Sequence, residues 1–310
     1  MELTKNKNSL GRRLISNIKK YYGTYIMALP VVIYFIVFAY LPMYGVIIAF
    51  QNYSPMKGIW GSPFVGLMHF KDFFSSYYFL RLLANTLLIS IYGLIFAFPS
   101  AIVLALLLNE VRNAIFKRAV QTITYMPYFI SLVVIASIII DFSLPTGFLN
   151  DIRAFFGADR INLLGKSEYF RSIYVGSHIW QYVGFDSIIF LAAITGVDTQ
   201  IYEAARIDGA GRLRQTWHVT LPSILPTVVI LLILRIGSLM NVGFEKIILI
   251  YNPTTYDVAD VISSFVYRKG IIEANYPYST AVGLFNSVVN FTLLVIANRL
   301  SKKLTSSSLW

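Results

Sequence analysis

The feature that most constrains this chain is a series of apolar segments, each long enough to cross a membrane. Six such segments occur, at about 25–50, 82–109, 119–140, 172–196, 223–250 and 280–298. A spanning helix needs roughly 20 mostly apolar residues, because its backbone must satisfy its own hydrogen bonds in lipid. The pattern predicts an all-α polytopic membrane protein with six transmembrane helices.

The composition excludes an ordinary soluble enzyme. Of the 310 residues, 56% are hydrophobic and 13% are charged, against about 45–50% and about 25% in soluble domains. The chain has no cysteine, and its histidines, His69, His178 and His218, are far apart. We therefore expect no disulfide, no cysteine nucleophile and no bound metal.

The distribution of charge predicts the orientation. The N-terminal tail, the loop after the second segment, the loop 197–222 and the C-terminal tail together carry 15 basic and five acidic residues. Because basic residues concentrate on the cytoplasmic side of membrane proteins, both termini are expected in the cytoplasm. The net charge of +11 is then a topology signal, and we expect no nucleic-acid partner.

Three regions follow from this topology. Residues 1–24 form a basic cytoplasmic tail, 25–300 form the six-span domain, and 301–310 form a second cytoplasmic tail. Within the first tail, Leu10–Tyr22 places apolar residues on one helical face. This pattern fits a helix lying on the inner membrane surface, and it fits equally a solvated basic tail that only enforces topology.

The chain carries no recognisable energy source of its own. Gly165-Lys166-Ser167 matches the end of a phosphate-binding P-loop, but Arg160 occupies the position of the first glycine. No motif for hydrolysis is present either. We therefore expect a transport subunit rather than an enzyme, driven by an ion gradient or by a partner that hydrolyses ATP.

The loop 197–222 is the only long loop on the predicted cytoplasmic side. Its Gln200–Asp208 stretch favours a helix that Gly209 and Gly211 can end, and Arg212–Thr220 favours a second short helix. The sequence thus predicts two helices joined by a turn beneath the membrane.

This loop resembles the EAA motif of binding-protein-dependent ABC importer permeases, E-A-A-x-x-x-G followed after nine residues by I-x-L-P. The matching residues are Glu203-Ala204-Ala205, Gly209, Val219 and Leu221-Pro222. Val219 in place of isoleucine is the one departure, and it keeps the position apolar.

Other stretches resemble the LplB-type carbohydrate branch, which is similar to the maltose-type permeases. They are Leu41-Pro42-Met43-Tyr44-Gly45, Gly58-Ile59-Trp60-Gly61-Ser62, Leu106-Leu107-Leu108-Asn109-Glu110-Val111, Tyr125-Met126-Pro127, Gly243-Phe244-Glu245 and Leu309-Trp310. The resemblance implies the MetI-like permease fold, a bacterial plasma membrane location, and uptake of an oligosaccharide or polysaccharide fragment.

The resemblance also implies partners. A second permease subunit, two copies of an ABC ATPase and an extracytoplasmic solute-binding protein would complete the importer, with ATP and Mg²⁺ bound by the ATPase alone. The residues that would couple this chain to the ATPase are Glu203, Ala204, Ala205, Asp208, Gly209, Leu221 and Pro222.

Polar residues inside the spans suggest a glycan path, because such residues are costly in lipid and mark functional sites. The residues selected are Trp180, Asp186, Arg235, Asn241, Glu245 and Asn290. At 1.5 Å rise per residue, Asp186 and Arg235 lie at about the same depth, about 15 and 18 Å from the cytoplasmic end. We expect an ion pair or shared polar network, which either faces the substrate or fixes helix packing.

Three alternatives remain open. The cargo could be another small solute, the chain could be an ion-coupled secondary transporter, or it could be a receptor or scaffold. An ion-coupled transporter would need a midplane ion site, for which Asp186 is the one candidate. The last two alternatives leave the 197–222 loop without a purpose.

Overall fold

The structure, a computed structural model, describes residues 17–305 and 308–309. The predicted interfacial segment Leu10–Tyr22 falls mostly outside the described residues. The chain divides into two compact units, Met1–Leu67 and Met68–Trp310, and each is taken by itself.

In its described part, from residue 17 onward, the first unit consists of one long helix and a short loop structure. Helix α1 spans Tyr22–Phe50 and is apolar along its length, with no buried residue in its first half, Tyr22–Phe35. The chain then forms a four-residue helix, Gly58–Gly61, and a single antiparallel bridge between Gln51 and Phe64. The exposed apolar surface of α1 is what a lipid-facing helix requires.

The second unit is an all-helical bundle in the part of the chain that the structure describes. Its helices are α2 (Met68–Phe74), α3 (Tyr78–Glu110), α4 (Ala114–Tyr125), α5 (Leu132–Ser143), α6 (Phe148–Phe155), α7 (Ser167–Thr195), α8 (Thr199–Ile207), α9 (Arg212–Gly237), α10 (Phe244–Ile250), α11 (Tyr256–Ala259), α12 (Ile262–Tyr267) and α13 (Tyr276–Thr305). A π-helical turn, Arg268–Ile272, extends α12.

The number of spans agrees with the predicted six if one bent pair of helices is counted as a span. Among the described residues, five helical stretches are each long and apolar enough to cross a membrane, and α7 with α8 makes a sixth across a 71° bend. The all-α prediction is confirmed.

Two predicted spans have the wrong boundaries. The third, 119–140, begins inside α4, which is a separate amphipathic helix that ends before the 3₁₀ turn Met126–Phe129. The fifth, 223–250, is interrupted, because α9 ends at Gly237 and the chain is irregular until Phe244. Apolar composition runs through both breaks, so hydropathy alone does not reveal them.

Three apolar clusters hold the second unit together. One joins α5, α7 and α10 around Ile135 and Ile247. Another joins α2, α3, α12 and α13 around Phe73 and Phe265. The third joins α3, α7 and α9 around Phe190. Helices α3 and α7 each contribute to at least two clusters, so the functional elements are positioned against this pair of helices.

Helix α4 crosses α7 at a glycine. A Cβ atom on Gly184 would collide with the backbone carbonyl of Thr124 and the ring of Tyr125. Gly176, two turns earlier on α7, has open space at the same position. Gly184 therefore sets the close approach of these two helices.

Candidate functional site

The EAA motif lies in a helical hairpin of residues 199–220, called here the EAA hairpin. Its first helix, α8, begins where the Asp198 carboxylate accepts a hydrogen bond from the backbone N–H of Gln200 at 2.9 Å. This is the usual N-cap arrangement. The helix ends at Ile207, and Gly209 then adopts a φ of +77°, a conformation that favours glycine. The predicted helix–turn–helix is present at the predicted position.

The hairpin presents its motif to the surroundings. Glu203, Ala204, Asp208 and Gly209 are exposed, and no residue of α8 is buried. Three large apolar side chains beside them, Ile207, Leu213 and Trp217, are 87%, 78% and 64% exposed. An exposed apolar patch rimmed by carboxylates is typical of a surface that a partner protein covers.

The second half of the hairpin is continuous with a membrane helix. Sequence reasoning separated a short helix 212–220 from the fifth span, but α9 runs unbroken from Arg212 to Gly237, with a π-helical turn at Thr216–Thr220. Leu221 and Pro222 lie inside α9 just after that turn. Displacement of the hairpin would therefore be carried directly into the bundle.

One contact joins the two helices of the hairpin, and another joins the hairpin to the bundle. The Tyr202 hydroxyl and Thr220 Oγ1 are 2.9 Å apart and form a hydrogen bond between α8 and α9. The Arg212 guanidinium lies 3.5 Å from the carboxylate of Glu110, at the end of α3. The first contact is partly buried and joins the two helices of the hairpin. The second is half exposed and contributes little to stability.

Asp186 and Arg235 line one cavity of about 270 Å³ between α3, α7 and α9. The predicted proximity is therefore present, but no direct ion pair joins the two side chains among the described residues. Instead, Arg235 Nη2 lies 3.2 Å from His178 Nε2. The polar network at this depth thus includes a histidine that sequence reasoning passed over.

An aromatic wall lies next to this polar network. The His178 ring stacks on Tyr182 at 4.5 Å between centroids, and Tyr128 stacks on Phe185 at 3.7 Å. Aromatic faces of this kind bind the C–H surfaces of sugars. His178, Tyr182 and Phe185 share one face of α7 with Asp186, so helical spacing from Asp186 could have identified them.

Asn241 and Asn290 contact each other at the break between α9 and α10. Asn241 Oδ1 accepts hydrogen bonds from Asn290 Nδ2 at 2.9 Å and from Asn286 Nδ2 at 3.1 Å. Asn290 Oδ1 accepts from the backbone N–H of Met240 at 2.9 Å. Asn290 is buried, and its side chain is the hydrogen-bond acceptor for a backbone N–H at the break between the two helices. Asn241 is exposed and lines a second cavity of about 120 Å³ that also includes Arg235.

The other two selected residues lie apart from this network. Trp180 is 42% exposed and lines a separate, apolar cavity of about 440 Å³ with Phe142 and Phe148. Glu245 is exposed on α10. It follows the break after α9, so it does not belong to one continuous fifth helix. Its neighbour Lys246 is buried, with Nζ 5.4 Å from the centre of the Tyr174 ring.

A buried polar cluster joins the α11–α12 segment to α3. We call it the clasp, and it consists of Asn85, Thr86, Arg171, Asp260, Ser264 and Arg268. Asn85 donates to the carbonyls of Asp257 and Asp260 at 2.9 and 3.0 Å, and its own oxygen accepts from Arg171 at 2.8 Å. The cluster thereby connects three helices through one side chain.

An ion pair completes the clasp. The Asp260 carboxylate is fully buried and accepts from Arg268 at 2.5 and 3.3 Å and from Ser264 at 2.7 Å. Burial by itself lowers the pKa of Arg268, but hydrogen bonds and charge from Asp260 raise that pKa above its ordinary value. The Arg268 guanidinium therefore stays charged at any physiological pH.

Comparison with known proteins identifies relatives along nearly the whole chain. The rhamnogalacturonan and polygalacturonan transport permease YteP of Bacillus subtilis is 47% identical over 96% of this chain and 92% of its own length. Protein LplB of the same organism is also 47% identical, over 92% of this chain and 90% of its own.

A solved structure agrees with this result. A chain of a bacterial alginate ABC transporter, in complex with an alginate pentasaccharide-bound periplasmic protein, is 43% identical with a TM-score of 0.88. The match covers 96% of this chain and all of that one. The family described as the binding-protein-dependent transport system inner membrane component matches residues 97–306. This chain belongs to that family of ABC transporter permeases.

Proposed function

We propose that this chain is the permease subunit of an ABC importer for an oligosaccharide or polysaccharide fragment. The relatives at 47% identity include a polygalacturonan and rhamnogalacturonan permease, and the solved relative belongs to an alginate importer. The cavity beside Arg235 and the aromatic wall on α7 supply the hydrogen-bonding groups and ring faces that a glycan requires.

The observation that carries the proposal is the EAA hairpin, exposed and continuous with α9. A separate ATPase would bind ATP and Mg²⁺, hydrolyse the nucleotide and contact Glu203, Ala204, Ala205 and the Gly209 turn. The small side chains permit a close approach, and Asp208 adds charge. Leu221 and Pro222, inside α9, would pass the movement of the hairpin to the bundle.

The assembly would contain four further proteins. A second permease would complete the path, two ATPase copies would bind on the cytoplasmic side, and a solute-binding protein would deliver the glycan from outside. The excess of basic residues in the tails, in the connection after the second predicted span and in the 197–222 loop supports a plasma-membrane topology with both termini in the cytoplasm.

Within the path, Asp186, His178 and Arg235 would contact the sugar hydroxyls. Asn241 would contact substrate on its exposed side, while Asn290 would position it. Trp180 and Glu245 would act outside this site, at the apolar cavity and at the exposed end of α10.

Uptake into proteoliposomes tests the proposal. Vesicles would contain this chain, its co-purifying permease, the ATPase and the binding protein, and would be offered radiolabelled trigalacturonate. We expect uptake that requires ATP inside the vesicle and survives collapse of ion gradients. Uptake that follows an ion gradient and ignores ATP would overturn the proposal and favour a secondary transporter centred on Asp186.

A further inference from the structure

A second polar cavity lies outside the one that contains Asp186 and Arg235. It has a volume of about 510 Å³ and is bounded by the beginning of α3 and by residues 253–273. We call it the tyrosine–arginine cavity, after Tyr77, Tyr78 and Arg81 in its wall. It shares no lining residue with the two cavities next to Arg235.

The carboxylates of this cavity already have partners. Asp260 pairs with Arg268 in the clasp, and Glu273 lies 2.6 Å from Lys269 Nζ. The Asp257 carboxylate accepts a hydrogen bond from the Ser167 hydroxyl at 2.7 Å. Their charge is therefore largely satisfied from within the protein.

Arg81 is the exception in the lining. Its guanidinium carbon lies 5.1 Å from the centre of the Tyr78 ring and 5.9 Å from that of Tyr77. Its Nε atom is buried and has no hydrogen-bond acceptor among the described residues. No carboxylate pairs with the Arg81 guanidinium among the described residues, and a guanidinium can bind a carboxylate through two parallel hydrogen bonds.

The two tyrosines supply the other half of a sugar site. Tyr77 is 84% exposed and Tyr78 is 42% exposed, so both rings have free surface. Aromatic faces bind the C–H surface of a pyranose. Aromatic surface and an unsatisfied cation together fit a sugar ring that carries a carboxylate.

We infer that the tyrosine–arginine cavity is a binding subsite for a uronate ring of the transported glycan, separate from the transmembrane cavity. This inference rests on the proposed function and narrows its substrate class to acidic glycans. Arg81 and Ser90, which lines the cavity beside Arg235, are nine residues apart on α3, or about 14 Å at the helical rise. Asn85 of the clasp lies between them, so the clasp separates the two sites.

The experiment is equilibrium binding of radiolabelled trigalacturonate to the whole transporter complex in nanodiscs, without the binding protein. Arg81→Gln should weaken binding about tenfold, because it removes a charge-assisted hydrogen-bond pair. Tyr77→Leu, at an exposed position, should weaken the binding of both trigalacturonate and neutral maltotriose. Arg81→Gln should leave maltotriose binding nearly unchanged.

Arg153→Gln is the matched control. Arg153 also lies 5.1 Å from a tyrosine ring, that of Tyr169, but it is outside the tyrosine–arginine cavity. Its variant should bind trigalacturonate as the wild type does. In an Arg235→Gln background, which should weaken the transmembrane site, Arg81→Gln should still lower the remaining trigalacturonate binding, which separates this subsite from the transmembrane cavity.

Unchanged trigalacturonate affinity in both Arg81→Gln and Tyr77→Leu would overturn the inference. If these variants also lost docking of the binding protein, measured by adding that protein to the same nanodiscs, the cavity would be a protein contact instead. Size-exclusion profiles monitor assembly of each variant. ATP-dependent uptake by the wild type, measured separately, distinguishes failure of the subsite from failure of the proposed function.

Discussion

The EAA hairpin and the clasp both contain charged residues, but they use them in opposite ways. In the hairpin, Glu203 and Asp208 are exposed and no residue of α8 is buried. In the clasp, Asp260 is fully buried and is bound by Arg268 and Ser264. Charge in the hairpin is available to a partner, whereas charge in the clasp holds the bundle together.

This difference predicts different consequences of mutation. Substitutions in the clasp should lower the stability of the fold, and substitutions in the hairpin should lower transport with little loss of stability. Surface charges that face water contribute little to folding, while removal of one member of a buried pair leaves an uncompensated charge.

The largest effect is expected at Asp260. Asp260→Ala should lower the free energy of unfolding by about 3 kcal/mol, because it leaves the Arg268 guanidinium without its partner. Thermal unfolding of the complex in nanodiscs measures this. Arg160→Gln is the control, since Arg160 pairs with Asp151 where both side chains are about half exposed. An equal loss of stability in the two variants would contradict the distinction between buried and exposed ion pairs.

A smaller effect is expected where α4 crosses α7. Gly184→Ala should cost about 1 to 3 kcal/mol, because the added methyl collides with the Thr124 carbonyl. Gly176→Ala on the same helix meets no atom within 4 Å and should be neutral or slightly stabilising. Unfolding midpoints of the two variants compare them directly. Equal midpoints would show that α4 does not pack closely at this glycine.

The break between α9 and α10 provides a comparable test. Asn290→Leu should cost about 1 to 2 kcal/mol, because the Met240 N–H loses its acceptor in a buried position. Asn286→Leu removes a single, more exposed donor to Asn241 and should cost less. Thermal unfolding of the two variants checks this order, with glycan uptake as a second readout. A larger loss of stability in Asn286→Leu than in Asn290→Leu would refute the prediction.

The smallest effect on stability is expected inside the EAA hairpin. Tyr202→Phe removes the hydrogen bond to Thr220 and should cost about 1 kcal/mol or less. Because this bond joins α8 to α9, the variant should lose more ATP-dependent uptake than Tyr125→Phe, which loses only a contact with Gln121 on its own helix. Equal uptake in both variants would show that α8 and α9 do not need this link.

The sequence predicts the hairpin well and the clasp not at all. The motif at Glu203, Gly209 and Pro222 lies within one short segment, and its glycines mark the turn. The spacing of these residues is therefore sufficient to predict the hairpin. Asn85 and Asp260 are 175 residues apart, and nothing in either local sequence indicates the other. Only the tertiary fold brings such partners together.

The sequence predicts the cavity that contains Asp186 and Arg235 only in part. Helical rise places Asp186 and Arg235 at one depth, and the structure has both in one cavity. The sequence does not predict that α9 ends at Gly237, because Leu239, Met240 and Val242 keep the stretch moderately apolar although Ser238 and Asn241 lie within it. The sequence also overlooks His178, because a single histidine on an apolar helix is usually a packing residue.

The most direct test of this account is ATP-dependent uptake by a Glu203→Lys, Gly209→Asp variant, compared with Gly211→Asp. Gly209 needs a positive φ, whereas Gly211 has a φ of −68° and open space around it. The account predicts that the double variant folds, loses uptake and no longer co-purifies with the ATPase, while Gly211→Asp retains both. Unchanged uptake and co-purification in the double variant would contradict the assignment of the EAA hairpin as the coupling element.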